Sequence, residues 1–132
     1  MNKEIEIKAL PPVELDCGIK VNRYLTYAQI QQIVNSTIRL DSWSEREENI
    51  DILILYHATN LTKKQIEEIG HEAFIDSGVM EEIRSAVVNI SKVYEAISYT
   101  ESTARAVAKI AKDLPKMLES TMSEVKNYAS KK

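Results

Sequence analysis

The hydrophobic pattern changes period along the chain, and each change predicts a different element. Residues 4 to 10 alternate as Glu-Ile-Glu-Ile-Lys-Ala-Leu, the period of a half-buried strand. Pro11-Pro12 stops that strand, because proline has no donor for a ladder. Val13 to Asp16 alternates briefly, Cys17-Gly18 has turn chemistry, and Ile19 to Asn22 suits a second strand. These segments read as a hairpin leaning on helices, or alternatively as an extended arm that adds to a neighbouring subunit's sheet.

From residue 26 the pattern is helical. Thr26 and Gln29 have capping-box spacing, and Ile30, Ile33, Val34, Thr37 and Ile38 fall on one face of a helix ending near Leu40. Leu25, just before the cap, is placed to staple against Ile30. Ser44 and Glu47 offer a second capping pair, with Glu45 and Glu48 suiting a helix N-terminus. The run Ile50 to Tyr56 that follows could be a central strand by period alone; the cap signals and the length up to Thr59 favour a buried helix. Asp51 is expected at its wet edge, and His57 as a core or boundary histidine. Asn60 or Thr62 should cap a short helix through Ile69, with Gly70 ending it. His71 to Ser77 reads as a further turn or two, broken at Ser77-Gly78.

The last third carries a heptad. Ile83, Val87, Ile90, Tyr94, Ile97, Ala104, Ala108, Ala111, Leu118, Met122, Val125 and Ala129 recur at spacings of four and three. Glu101 sits at a seam position, where a buried charge needs a partner. One long helix is predicted over Val79 to Asp113, interrupted at Leu114-Pro115, with a last helix or kinked continuation to about Ala129. A helix of that length, about 50 Å, exceeds what so small a body covers. Ile83, Val87, Ile90, Tyr94 and Ile97 are therefore the candidate interface, facing another chain or the last helix; the plainer alternative packs the long helix on the chain's own body.

The fold class that results is mainly α: a compact helical body, a short N-terminal β or extended segment, and a long C-terminal helix followed by a kinked last helix. The 132 residues suit one domain, with an arm over 1–25, a body over 26–78 and the long helices over 79–132. Composition adds a few exclusions. Cys17 is the single cysteine, so neither an internal disulfide nor a cysteine zinc site can form within the chain. The N-terminal segment alternates instead of running apolar, so neither a secretory leader nor a membrane span is expected.

Candidate chemistry is sparse. The three glycines stand singly, so no phosphate loop is present. Glu67, Glu68, His71 and Glu72 cluster, and a metal could use such a face, but Gly70 interrupts it and a solvated acidic surface is the plainer reading. Nothing marks a paired acid and base or a nucleophile, so neither an enzyme nor a cofactor is expected. Charge is uneven: residues 1–78 hold 13 acidic and 8 basic residues, a balance of −5, and residues 79–132 hold 7 and 9, a balance of +2. Arg105, Lys109, Lys112 and Lys116 form a basic stripe that could meet phosphates or an acidic protein. Base-stacking aromatics are missing from it, so a solvated face is the plainer reading and nucleic acid is not the expected partner.

Ile19-Lys20-Val21-Asn22-Arg23-Tyr24-Leu25, a helix opening at Tyr27 to Val34, and Ile52 to Tyr56 with Thr59-Asn60-Leu61 together resemble small uncharacterised proteins of tailed phages that infect Gram-positive bacteria. The resemblance covers about a third of the chain and contains no catalytic signature. It implies a phage gene product with no defined activity. The expected function is a non-enzymatic virion component or assembly factor, contacting itself or other virion proteins as a homo-oligomer, in the host cytoplasm or in the virion. The competing expectation is a small soluble inhibitor or modulator of a host protein or nucleic-acid complex.

Overall fold

The computed structural model describes the backbone of residues 9–130 and the side chains of residues 9–116 and 118. The predicted strand at residues 4–10 lies mostly outside this range, as do the seam positions Met122, Val125 and Ala129. Among the described residues, those up to Ile97 form one compact unit and those from Ser98 a second. The chain is mainly helical, with six helices and one two-stranded ribbon among the described residues.

In the first unit, β1 (Val13–Glu14) and β2 (Lys20–Val21) pair antiparallel, Val13 opposite Val21. The turn between them closes through Gly18 N to Leu15 O (2.9 Å), with Gly18 at φ 90°. This is the hairpin reading of the N-terminal segment. A ribbon so short needs support, and it comes from β2 and the residues after it. Val21 makes an isolated bridge with Thr59, and Asn22 N donates to Ala58 O at 2.6 Å. A few residues on, Val88 N donates to Arg23 O (2.7 Å), and the Asn89 amide exchanges two 2.9 Å bonds with the Leu25 backbone. The segment from Lys20 to Leu25 thus bonds the end of one helix on one side and a helix–helix turn on the other.

Helix α1 (Tyr27–Thr37) opens with the predicted box: Thr26 Oγ1 accepts from Gln29 N, and Gln29 Oε1 accepts from Thr26 N. It ends at Thr37, about a turn before Leu40. Helix α2 (Trp43–Ala58) settles the Ile50–Tyr56 run as helix, capped by Ser42 through Glu45 N and not by Ser44. Its buried face is Ile50, Asp51, Ile54, Leu55 and Ala58, a single stripe at 3.6-residue period. Thr37, fully buried at the end of α1, is bonded by Asn49 Nδ2 of α2 at 3.0 Å. Helix α3 (Lys63–Ile69) begins with a capping box between Thr62 and Gln65. Gly70 separates it from α4 (His71–Asp76) at φ 84°, ψ 147°, a region that in practice only glycine visits.

Helix α5 (Val79–Ala86) and helix α6 (Ser91–Ser130) replace the single long helix predicted from Val79. Val87 is extended, at φ −81° and ψ 104°. The reason is non-local: the amide of Val88 and the side chain of Asn89 are taken by Arg23 and Leu25, which a continuous helix could not allow. Further on, helical geometry carries through Pro115. Proline removes one donor there and leaves the Ala111 carbonyl without its helical partner. Ala111 is exposed, so water can take that bond.

The core joins all of these elements in the first unit. Ile33, Ile50, Ile54, Leu55, Met80, Ile83 and Val93 are all fully buried in it. Three of the five candidate interface residues, Ile83, Val87 and Ile97, belong to this cluster, and Ile90 and Tyr94 pack partly buried against it. The bulky half of the seam faces the chain's own body, with a turn in its middle. Ile83→Ala should accordingly cost about 2–5 kcal/mol through the cavity it leaves. Thermal unfolding monitored by circular dichroism should show a lower melting temperature. A fall in solution mass without a fall in melting temperature would return Ile83 to an interface.

Candidate functional site

Among the described residues of the first unit, one charged side chain is fully buried. Asp51, on α2, is 0% exposed. It lies where sequence reasoning expected a wet edge, because the residues that satisfy it are 20 and 33 positions away. His71 Nε2, at the start of α4, is 2.7 Å from Asp51 Oδ2. Arg84 Nε, on α5, donates to Oδ1 at 2.8 Å, and Arg84 Nη2 donates to Oδ2. The ionised carboxylate only accepts, so His71 carries its proton on Nε2. The guanidinium binds in the two-pronged geometry that suits a carboxylate, and its pKa is raised above the ordinary arginine value, first by the bond to Asp51. Glu47 Oε2 stands 3.9 Å from Arg84 Nη2, and burial, with Glu47 next, pushes the Tyr94 phenol up.

Chemically this cluster is a tie. It joins α2, α4 and α5 through one carboxylate holding three charge-assisted bonds. The metal candidate is spent in the same way, since His71 points to Asp51 while Glu67, Glu68 and Glu72 remain exposed. No group of three or more His, Cys, Asp or Glu arranged for a metal occurs among the described residues.

Described residues of the first unit line at least two depressions. A shallow one of about 570 Å³ is lined by Val13, Leu15, Arg23, Gly78, Glu81, Glu82, Ser85 and Ala86. Its only cation, Arg23, donates Nε to Ala86 O at 2.5 Å. An apolar cleft of about 280 Å³ is lined by Ile52, Leu53, Tyr56, Ile66, Lys63 and Glu67. A small-molecule site needs polar groups converging on the ligand; this cleft has one cation and one anion.

The second unit is of another kind. Its described side chains are nearly all exposed, and Tyr99, Val107, Ile110, Leu114 and Leu118 are large apolar ones, 47–75% exposed. At about 100° per residue they share one stripe of the helix. Sequence reasoning followed the alanines, with Leu118 common to both patterns: Ala104, Ala108 and Ala111 lie about 95° around the helix from the middle of the bulky stripe. The basic residues Arg105, Lys109, Lys112 and Lys116 are exposed on the side opposite to it. Arg105 also reaches Glu101 at 3.9 Å, an i,i+4 pair that gives the seam charge a partner. Among the described side chains, the structure therefore sorts α6 from Tyr99 to Leu118 into an apolar face and a basic face. No family model, curated protein or solved structure matches the chain.

Two predictions follow from the polar groups. Arg84→Met leaves the Asp51 carboxylate buried with only His71, and should cost about 3 kcal/mol in denaturant unfolding. Replacing Asp51, His71 and Arg84 together by Leu, Leu and Met should recover most of that loss, since an apolar cluster needs no pairing. A triple variant as unstable as the single one would show that the cluster does more than satisfy its own charges.

The second concerns His57, whose pKa is lowered by burial. Its folded state favours the neutral ring, so the unfolded chain binds the extra proton first. Its contribution is whole above pH 6.5, the ordinary value, and is lost progressively as pH falls below it. His57→Gln should flatten the melting temperature between neutral pH and pH 5, with the partial exposure of His57 keeping the effect small.

Proposed function

We propose that this chain is a non-enzymatic protein acting through protein–protein contact, as a virion component or assembly factor of a tailed phage, in the host cytoplasm or the particle. The observation that carries the contact reading is the exposed stripe on α6, where Tyr99, Val107, Ile110, Leu114 and Leu118 stand open to solvent on a helix of 40 residues. Isolated apolar residues on a surface need no explanation, but a row of them at helical spacing is what a partner helix or groove takes up. The non-enzymatic reading is supported by Asp51, whose bonds all go to neighbouring helices, and by the 280 Å³ cleft with few polar groups. The phage assignment rests on the resemblance over Ile19 to Leu61.

The test is fractionation of infected cells carrying a tagged copy. The protein should sediment with particles or with their assembly intermediates. Sedimentation solely as a free species bound to a host protein would replace this reading with that of an inhibitor.

A further inference from the structure

We propose that the apolar stripe of α6 is covered by the same stripe of a second copy of this chain, an inference that rests on the contact reading above and names its partner. Three features favour a second copy. The first is spacing. Val107, Ile110, Leu114 and Leu118 follow at three, four and four, the rhythm with which one helix packs its knobs on another. A two-fold pairing needs no other surface, because such an interface sets a patch against itself.

The second feature is charge. No Lys, Arg, Asp or Glu falls within the stripe between Tyr99 and Leu118; at about 100° per residue, Glu101, Arg105, Lys109, Lys112 and Lys116 lie on the far half of the helix and Asp113 outside the stripe. Two copies can therefore meet along the stripe without bringing like charges together. A helix lying on an anionic lipid surface would gain most from cations beside its apolar face, at headgroup level. Here they stand opposite to it.

The third is area. The five side chains are 47–75% exposed. At about 100 Å² each, covering them on both copies removes on the order of 1,000 Å² from water, before flanking alanines and backbone are added. That reaches the threshold of about 1,000 Å² for a specific interface.

The experiment is light scattering coupled to size exclusion on the full chain. The unaltered protein should have twice the chain mass of 15.0 kDa and fall to that mass on dilution, with loss of helical signal from α6. Ile110→Asp with Leu114→Asp should give the single-chain mass at concentrations where the unaltered protein is paired. The same double variant should keep the first unit's thermal transition, because neither residue belongs to its core. Lys109→Ser with Lys112→Ser, on the opposite face, should leave the mass doubled. A single-chain mass for the unaltered protein at its highest soluble concentration overturns the proposal, as does an undiminished mass in the Asp variant. Binding of the monomer to anionic phospholipid vesicles through the stripe overturns it in favour of lipid. A monomer that still sediments with particles sinks only the second-copy inference. A paired protein that never does so sinks only the phage role.

Discussion

The first unit depends on backbone bonds made by a segment that is not helical. Apart from α2, the helices before α6 run 6 to 11 residues, and every helix leaves backbone groups at its ends without partners of its own. The segment from Lys20 to Leu25 supplies partners to two such ends at once. Through Asn22 and Lys20 it meets Ala58 and Asn60, where α2 finishes. Through Arg23 and Leu25 it meets Val88 and Asn89, where α5 gives way to α6. Val21 and Leu25 of the same segment are buried in the core. The extended segment thereby fixes the distance between the end of α2 and the start of α6, and the buried side chains fill the space so defined.

Sequence reasoning found what is local. Thr26 with Gln29 caps its helix within three residues, so the signal and the structure occupy the same window, and of the two caps read for α3, Asn60 or Thr62, the helix uses Thr62, with Gln65 closing a box that was not read. The Ile50–Tyr56 run was legible as helix because acidic residues and length argued against its strand-like composition, although the capping serine is Ser42 and not the Ser44 read with Glu47. The break at Val87 was not legible, because its cause lies more than sixty residues upstream at Arg23 and Leu25. The burial of Asp51 failed for the same reason. An acidic residue inside an apolar run gives no sign that His71 and Arg84 will arrive from other helices. Of the heptad from Ile83 to Ile97, Ile83, Val87 and Ile97 are buried in the chain's own core, and Ile90 and Tyr94 pack partly buried against it.

In the second unit the difficulty was one of register. Alanines and large aliphatics both recur at three and four, so two neighbouring stripes fit one sequence pattern. Accessible surface separates them: the aliphatic stripe is the one with area to lose. The basic stripe takes its meaning from the same geometry. Opposite an apolar face, cations are the solvated side of an amphipathic helix, and Arg105 has in addition an acidic neighbour in Glu101.

The Asp51 tie also constrains how the chain can change over generations. Losing Arg84 or His71 removes partners from a buried carboxylate, and losing Asp51 leaves Arg84 with only the more distant Glu47 carboxylate and takes the Asp51 partner from His71. Each one-step substitution lowers stability, although an apolar trio is tolerable once complete. The three positions are therefore separated from their apolar alternative by a fitness valley. In any lineage of this protein they should persist together or be exchanged together, and an isolated replacement at one of them should be short-lived.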